Sequence, residues 1–177
     1  MKTIGLVPGA MKPFHAGHNY IVQRSIEECD HTIIFTSAKT RDNIDGNKMI
    51  DAWDRIILPL LGNTVEVLVV KSPVRGVYDY LEHRGTPNKS FRIYGGTEDI
   101  SRLSKARILQ YYPGLNVVNV AEENPQAFER GAGYTEVPAK GEWVRESIRA
   151  GDHEKFRSFL PDFLKPHSNE YLSILTE

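Results

Sequence analysis

Lys12, His15 and His18 crowd around Gly17 in the run Lys12-Pro13-Phe14-His15-Ala16-Gly17-His18. Each of the two imidazoles can donate a hydrogen bond to an anionic oxygen, and protonation would add charge. Lys12 adds a cation in the same turn. The chemistry these types suggest is the holding of a phosphate chain. A helix opening at this point would add its first-turn N–H groups, aimed at the ligand, and the field of its dipole. Gly17 has no Cβ, so a ligand can approach the backbone closely. A histidine at a helix start is usually an ordinary capping or surface residue, but the strand before this run and the amphipathic helix after it favour the phosphate reading.

The elements around the run fit that placement. The apolar stretch Thr3–Val7 precedes it and reads as a strand. Four further strand-like runs follow at Thr32–Thr36, Val65–Val70, Phe91–Tyr94 and Val117–Val120, rich in Val and Ile as strands buried on both faces are. Helical patterns lie between them, over His18–Cys29, Lys48–Leu61, Val74–His83 and Thr97–Tyr112. Alternation of this kind predicts an α/β fold with a doubly wound, parallel five-stranded sheet. Right-handed crossovers then gather every strand-to-helix loop on one edge, where ligands bind. A polar, irregular stretch is expected over 122–140, with helices over 141–177, and the whole of 1–177 is expected to form one domain. Phe156, Phe159, Leu160 and Phe163 make an apolar face that should pack back on the sheet, a subunit contact being the alternative.

Composition narrows the function. The chain has 177 residues, 22 basic and 23 acidic, for a net charge of -1. That balance argues against a general nucleic-acid-binding surface. A lone Cys29 excludes an intramolecular disulfide and suggests no cysteine-based zinc site. No leader or membrane-spanning segment is expected, so the reading is of a cytoplasmic protein. Trp53 shares a helical phase with Met49, Ile56 and Leu60, which favours a core role over stacking on a ligand base.

The block Pro-Phe-His-x-Gly-His behind a first strand resembles the signature of the HxGH nucleotidylyltransferases. That superfamily includes the nicotinamide-mononucleotide, pantetheine-phosphate and glycerol-phosphate nucleotidylyltransferases. The resemblance implies a Rossmann-like, HUP-type fold with C-terminal helices, and transfer of a nucleoside monophosphate from an NTP to a phosphorylated acceptor. It implies Mg²⁺ carried mainly by the NTP phosphates, with no protein metal site. ATP is the expected donor, because the Arg-Thr-x-Gly-Ile-Ser-Thr-Thr block of the cytidylyltransferase branch is missing. Nicotinamide mononucleotide is the first acceptor candidate. Pantetheine phosphate, glycerol phosphate and a non-catalytic nucleotide sensor are the alternatives.

The resemblance also assigns residues. His15, His18, Lys12 and Arg145 are the candidate catalytic groups. Arg145 belongs to Ala139-Lys140-Gly141-Glu142-Trp143-Val144-Arg145, the best match to the family's second motif Ile-Ser-x-Thr-x-x-Arg. Lys140 and Glu142 stand where hydroxyl residues are usual. Gly9, Ala10, Gly17, Gly95, Gly96, Asp99 and Lys140 are the nucleotide-binding candidates. Two basic loops carry the acceptor candidates, Ser37, Lys39 and Arg41 after the second strand and Lys71 and Arg75 after the third.

Overall fold

A computed structural model of the chain describes residues 1–103, 105–123 and 139–177, without the side chains of Thr97, Glu98 and Lys105. Five parallel strands form one sheet: β1 (Lys2–Pro8), β2 (His31–Thr36), β3 (Val65–Val69), β4 (Lys89–Ile93) and β5 (Asn116–Asn119). Their spatial order is β3-β2-β1-β4-β5. The register sets Leu6 between Ile33 and Ile93. Strand order reverses between β1 and β4, and the crevice beyond the carboxyl ends of those strands is where such sheets bind ligands.

Helices cover both faces. Helix α1 (Ala16–Glu28) packs on the face that carries Gly5, Thr32 and Tyr94. A Cβ on Gly5 would fall 1.8 Å from Ser25 Oγ, so glycine in the central strand is what lets α1 lie this close. Helix α4 (Pro73–Arg84) covers the opposite face, with Tyr80 edge-on to Phe35 and Phe91. The buried core runs through Leu6, Ile33, Ile34, Phe91 and Ile93 of the central strands.

Between β2 and β3 the chain is helical from Gly46 to Leu61: α2 (Gly46–Ala52), a π-helical turn (Trp53–Ile57) and α3 (Leu58–Leu61). The expected helix therefore starts two residues earlier. Asp45 caps it, accepting from Asn47 and Lys48 N–H. Trp53 is buried in the core against Phe14, with ring centroids 5.0 Å apart.

One expected helix is broken, and the C-terminal helical part divides. The Thr97–Tyr112 pattern resolves into α5 (Thr97–Ile100) and α6 (Lys105–Tyr111). The C-terminal pattern splits into α8 (Gly141–Arg149) and α9 (His153–Ser158), because Gly151 sits at φ +68° and Asp152 caps the next helix. The expected irregular stretch begins with a helical turn, α7 (Val120–Glu123). The remainder of that expectation, 124–138, lies outside the described residues. A 3₁₀ turn (Lys165–His167) leads into α10 (Ser168–Thr176). Phe156, Phe159 and Leu160 are buried, and α10 packs on α2, so the C-terminal apolar face turns inward. Among the described residues no helix is long and apolar enough to cross a membrane.

Candidate nucleotide site at the switch point

An open cavity of about 270 Å³ lies beyond the carboxyl ends of β1 and β4. Val7, Pro8, Ala10, Met11 and Lys12 line it from the first strand and its turn; Gly95, Gly96 and Asp99 line it from the fourth. His15, Gly17, His18 and Ile21 contribute the α1 side, and Gly141, Glu142 and Arg145 the α8 side. Arg41 enters from the loop after β2.

The histidine pair is built into the start of α1. His15 is the N-cap residue, and its Nδ1 accepts from the N–H of Gly17 at 3.0 Å. The same side chain also caps the His18 N–H. His18 Nδ1 accepts from the N–H of His15 at 3.3 Å, closing a reciprocal capping box. Ala16 N–H donates to the carbonyl of Phe159 at 2.8 Å. The N–H groups of the first turn are therefore engaged within the protein. This corrects the expectation that they point at a ligand; the histidines and Phe159 satisfy them first.

Side chains must do the holding here. With Nδ1 accepting in both rings, the neutral imidazoles carry their hydrogen on Nε2. The rings stack, centroids 3.7 Å apart. Gly17 has a second use: a Cβ there would come 2.9 Å from His15 Cε1, so its absence makes room for the curled-back imidazole.

Lys12 is buried, 3 % exposed, and donates to Ser37 Oγ at 3.2 Å. Burial first, then the neighbouring charges of Arg41 and Lys39, lowers its pKa from the usual lysine value. Both non-glycine residues with positive φ among the described residues stand beside the cavity: Met11 at +48° and Asp42 at +50°. A left-handed residue of this kind costs roughly 1–2 kcal/mol, so the local folds are held by their surroundings. Asp42 sits in a two-residue turn closed by paired backbone bonds between Arg41 and Ile44.

Arg145 is buried beside the cavity. Its Nε donates to Asp42 Oδ2 and its Nη1 to the Lys12 carbonyl at 3.0 Å. Arg149 lies 3.9 Å from the same Asp42 oxygen. Helix α8 itself opens on Lys140, which provides no side-chain cap.

The candidates divide. The cavity brings together Lys12, His15, Gly17, His18, Ala10, Gly95, Gly96, Asp99, Arg41 and Arg145. Gly9 lies beneath it, bonded to Phe35, and Ser37 reaches it only through Lys12. Lys140 does not line it; its Nζ lies 4.9 Å from the Trp143 ring centroid. Lys39, Lys71 and Arg75 do not line it either. Lys71 and Arg75 follow the edge strand β3, two strands from β1, and Arg75 faces Asp79 at 3.4 Å. Sequence reasoning missed Met11 and Asp42, and it named Glu142 only as a poor fit. The Asp-Asn pair in a polar loop was a turn signal for Asp42. Among the described residues no three His, Cys, Asp or Glu side chains gather as a metal site. Cys29 is half-buried at 3.6 Å from Tyr94 Oη, and burial pushes its thiol pKa up, away from nucleophile chemistry.

Sheet order and helix placement define a Rossmann-like α/β fold with a cavity at the strand-order switch. Solved structures share this fold. A Vibrio parahaemolyticus protein provisionally described as a nicotinate-nucleotide adenylyltransferase superposes with a TM-score of 0.59, 15% identity and coverage of 98% of this chain and 99% of that one. Thermotoga maritima TmcAL, bound with alpha-thio ATP, gives 0.53 and 16% over 98% of this chain and 55% of that one. No family model and no curated protein matches the chain by sequence, so the likeness is one of fold.

Proposed function

We propose that this chain is a nucleotidylyltransferase that transfers AMP from ATP to a phosphorylated acceptor and releases pyrophosphate. One observation carries the reading: the stacked His15–His18 pair, with Lys12 and Arg145, lines a single cavity at the switch point of the sheet. Four nitrogen-bearing side chains line it, together with the two glycines that follow β4. The nicotinamide mononucleotide acceptor is the first choice. The name of the Vibrio structure adds nicotinate mononucleotide to the panel. Pantetheine phosphate and glycerol phosphate complete it.

An acceptor phosphate oxygen attacks the α-phosphorus of ATP. The new P–O bond forms as the bond to the β-phosphate bridging oxygen breaks, and the electron pair leaves with pyrophosphate. The acceptor is already anionic at neutral pH, so no protein base is required. Catalysis then rests on position and charge. The Nε2–H groups of His15 and His18 donate to non-bridging α-phosphate oxygens, and Lys12 Nζ adds a positive charge beside them. The N–H groups of the donor sites not taken by Asp42 and Lys12 let Arg145 reach the β- and γ-phosphates from the α8 side. Gly95, Gly96 and Asp99 serve the ribose and base. Arg41, with Lys39 on the same loop, serves the acceptor phosphate. Mg²⁺, when bound, would supply charge neutralisation at the leaving pyrophosphate. Asp99 and Glu142, the carboxylates lining the cavity, fit contact with it through water better than a full protein cage. The protein would act in the cytoplasm.

The test is a pyrophosphate-release assay that crosses four NTPs with the acceptor panel in Mg²⁺. ATP with nicotinamide mononucleotide should give pyrophosphate and a dinucleotide, and EDTA should abolish it. ATP binding with no pyrophosphate from any acceptor would replace the enzyme with a nucleotide-binding sensor.

A further inference from the structure

The turn that carries the histidines is held from outside at three backbone atoms. The Lys12 carbonyl accepts from Arg145 Nη1 at 3.0 Å. The Phe14 carbonyl accepts from Tyr171 Oη at 2.9 Å. The Ala16 N–H donates to the Phe159 carbonyl at 2.8 Å. All three partners come from the C-terminal 141–177 part, more than a hundred residues along the chain. They alternate along the turn with the bonds the histidines make among themselves at His15, Gly17 and His18.

Tyr171 is the side chain of this set that touches nothing in the cavity. It lies on α10, fully buried between Met49 and Phe156. Burial raises its phenol pKa well above the ordinary value, so it stays a neutral donor. An apolar side chain would fill the same space. The hydroxyl is there for the Phe14 carbonyl, one residue before His15, in a core where an unpaired carbonyl is costly. Phe14 also packs its ring on Trp53 and lies 6.0 Å from the His18 ring. A shift of the Phe14 peptide therefore moves the ring wall behind His18 as well as the backbone in front of His15.

We infer that Tyr171 is a positioning residue: its hydroxyl, acting on the Phe14 carbonyl as one point of a C-terminal clamp, fixes the backbone on which His15 and His18 cap each other at the edge of the cavity. The inference rests on the proposed reaction only for its kinetic consequence. The geometric consequence stands apart from it.

The experiment compares Tyr171→Phe with Ile174→Val, a buried α10 control that keeps the hydroxyl. Two readouts are taken on the full chain. In pyrophosphate release, Tyr171→Phe should lower kcat about tenfold to a hundredfold, the scale of a misplaced donor, with the KM for ATP little changed; Ile174→Val should hold kcat even where its melting temperature falls as far. In ¹H–¹⁵N imidazole spectra, the wild type should show His15 and His18 as fixed Nε2–H tautomers, and Tyr171→Phe should blur them toward a tautomer mixture while Ile174→Val does not. Unchanged imidazole signals in Tyr171→Phe overturn the inference, as does an equal kcat loss in both variants. If the wild type releases no pyrophosphate with any acceptor, the proposed function fails, and the imidazole spectra still decide the clamp.

Discussion

At the start of α1 the protein satisfies its own amides. Two imidazoles and the Phe159 carbonyl take them, and both rings are locked by what they accept. At the start of α8, across the same cavity, Lys140 gives no side-chain cap and turns its Nζ to the Trp143 ring. The two helix starts resemble each other in sequence logic, each with polar groups beside a glycine. They differ in what is left over for a ligand. The first presents side-chain donors on a rigid frame; the second presents helix dipole and Arg145, with Glu142 opposing them. In the proposed reaction the rigid end suits the transferring α-phosphate and the open end suits the leaving pyrophosphate.

The contrast is broken most severely at the rigid end. His18→Ala should reduce kcat by roughly 10²–10³, as for one lost transition-state donor. It also removes the acceptor for His15 N–H, so the melt should show a loss of about 0.5–2 kcal/mol, the range for a helix cap. Near wild-type turnover in the folded variant takes His18 out of the mechanism.

Arg145→Ala tests the open end. Calorimetric titration should show ATP weakened by about 1.5–3 kcal/mol, the value of a hydrogen bond to a charged group, with AMP much less affected. Arg145→Lys should recover only part, since it keeps the charge and loses the fork. Equal losses for ATP and AMP would make this arginine a tie between Asp42 and Lys12 and nothing more.

Lys12 joins the two ends. Its lowered pKa means that folding places a charge where burial and the charges of Arg41 and Lys39 oppose it. Between the lowered value and the ordinary 10.5 the unfolded chain binds more protons, so wild-type stability should rise with pH across that window. Below it the full cost is present. Lys12→Met should therefore raise the melting temperature at pH 7, while ATP binding falls. A variant that melts lower than wild type at pH 7 contradicts the sign.

The smallest effect belongs to Glu142→Thr. It removes a carboxylate from the cavity lining and restores a hydroxyl, so ATP affinity should hold or improve. The helix loses a favourable first-turn charge worth about 0.3–1 kcal/mol, which the melt should register. Weaker ATP binding would show that Glu142 aids the nucleotide, as a water-mediated contact to Mg²⁺ would.

Much of this was legible in the chain. Local periodicity gave all five strands to within two residues and the parallel, doubly wound order, because buried strands and amphipathic helices write their pattern in neighbouring residues. The run from Lys12 to His18 announced the site, since strand, turn and helix start are consecutive there. Gly95, Gly96 and Asp99, assigned by the resemblance, do line the cavity. Local pattern could not say which helix start would keep its amides. That depended on the His15 imidazole curling back onto the Gly17 and His18 N–H groups and on Phe159 folding back onto residue 16. Nor could it tell Arg41, which lines the cavity, from Arg75, which pairs with Asp79 on its own helix. Both are cations that follow strands; only the order β3-β2-β1-β4-β5 puts one beside the switch point and the other at the sheet's edge. The sequence determined the elements and the donors, through interactions between near neighbours. The tertiary structure decided which of these donors line one cavity, because the strand order and contacts between distant segments place them there.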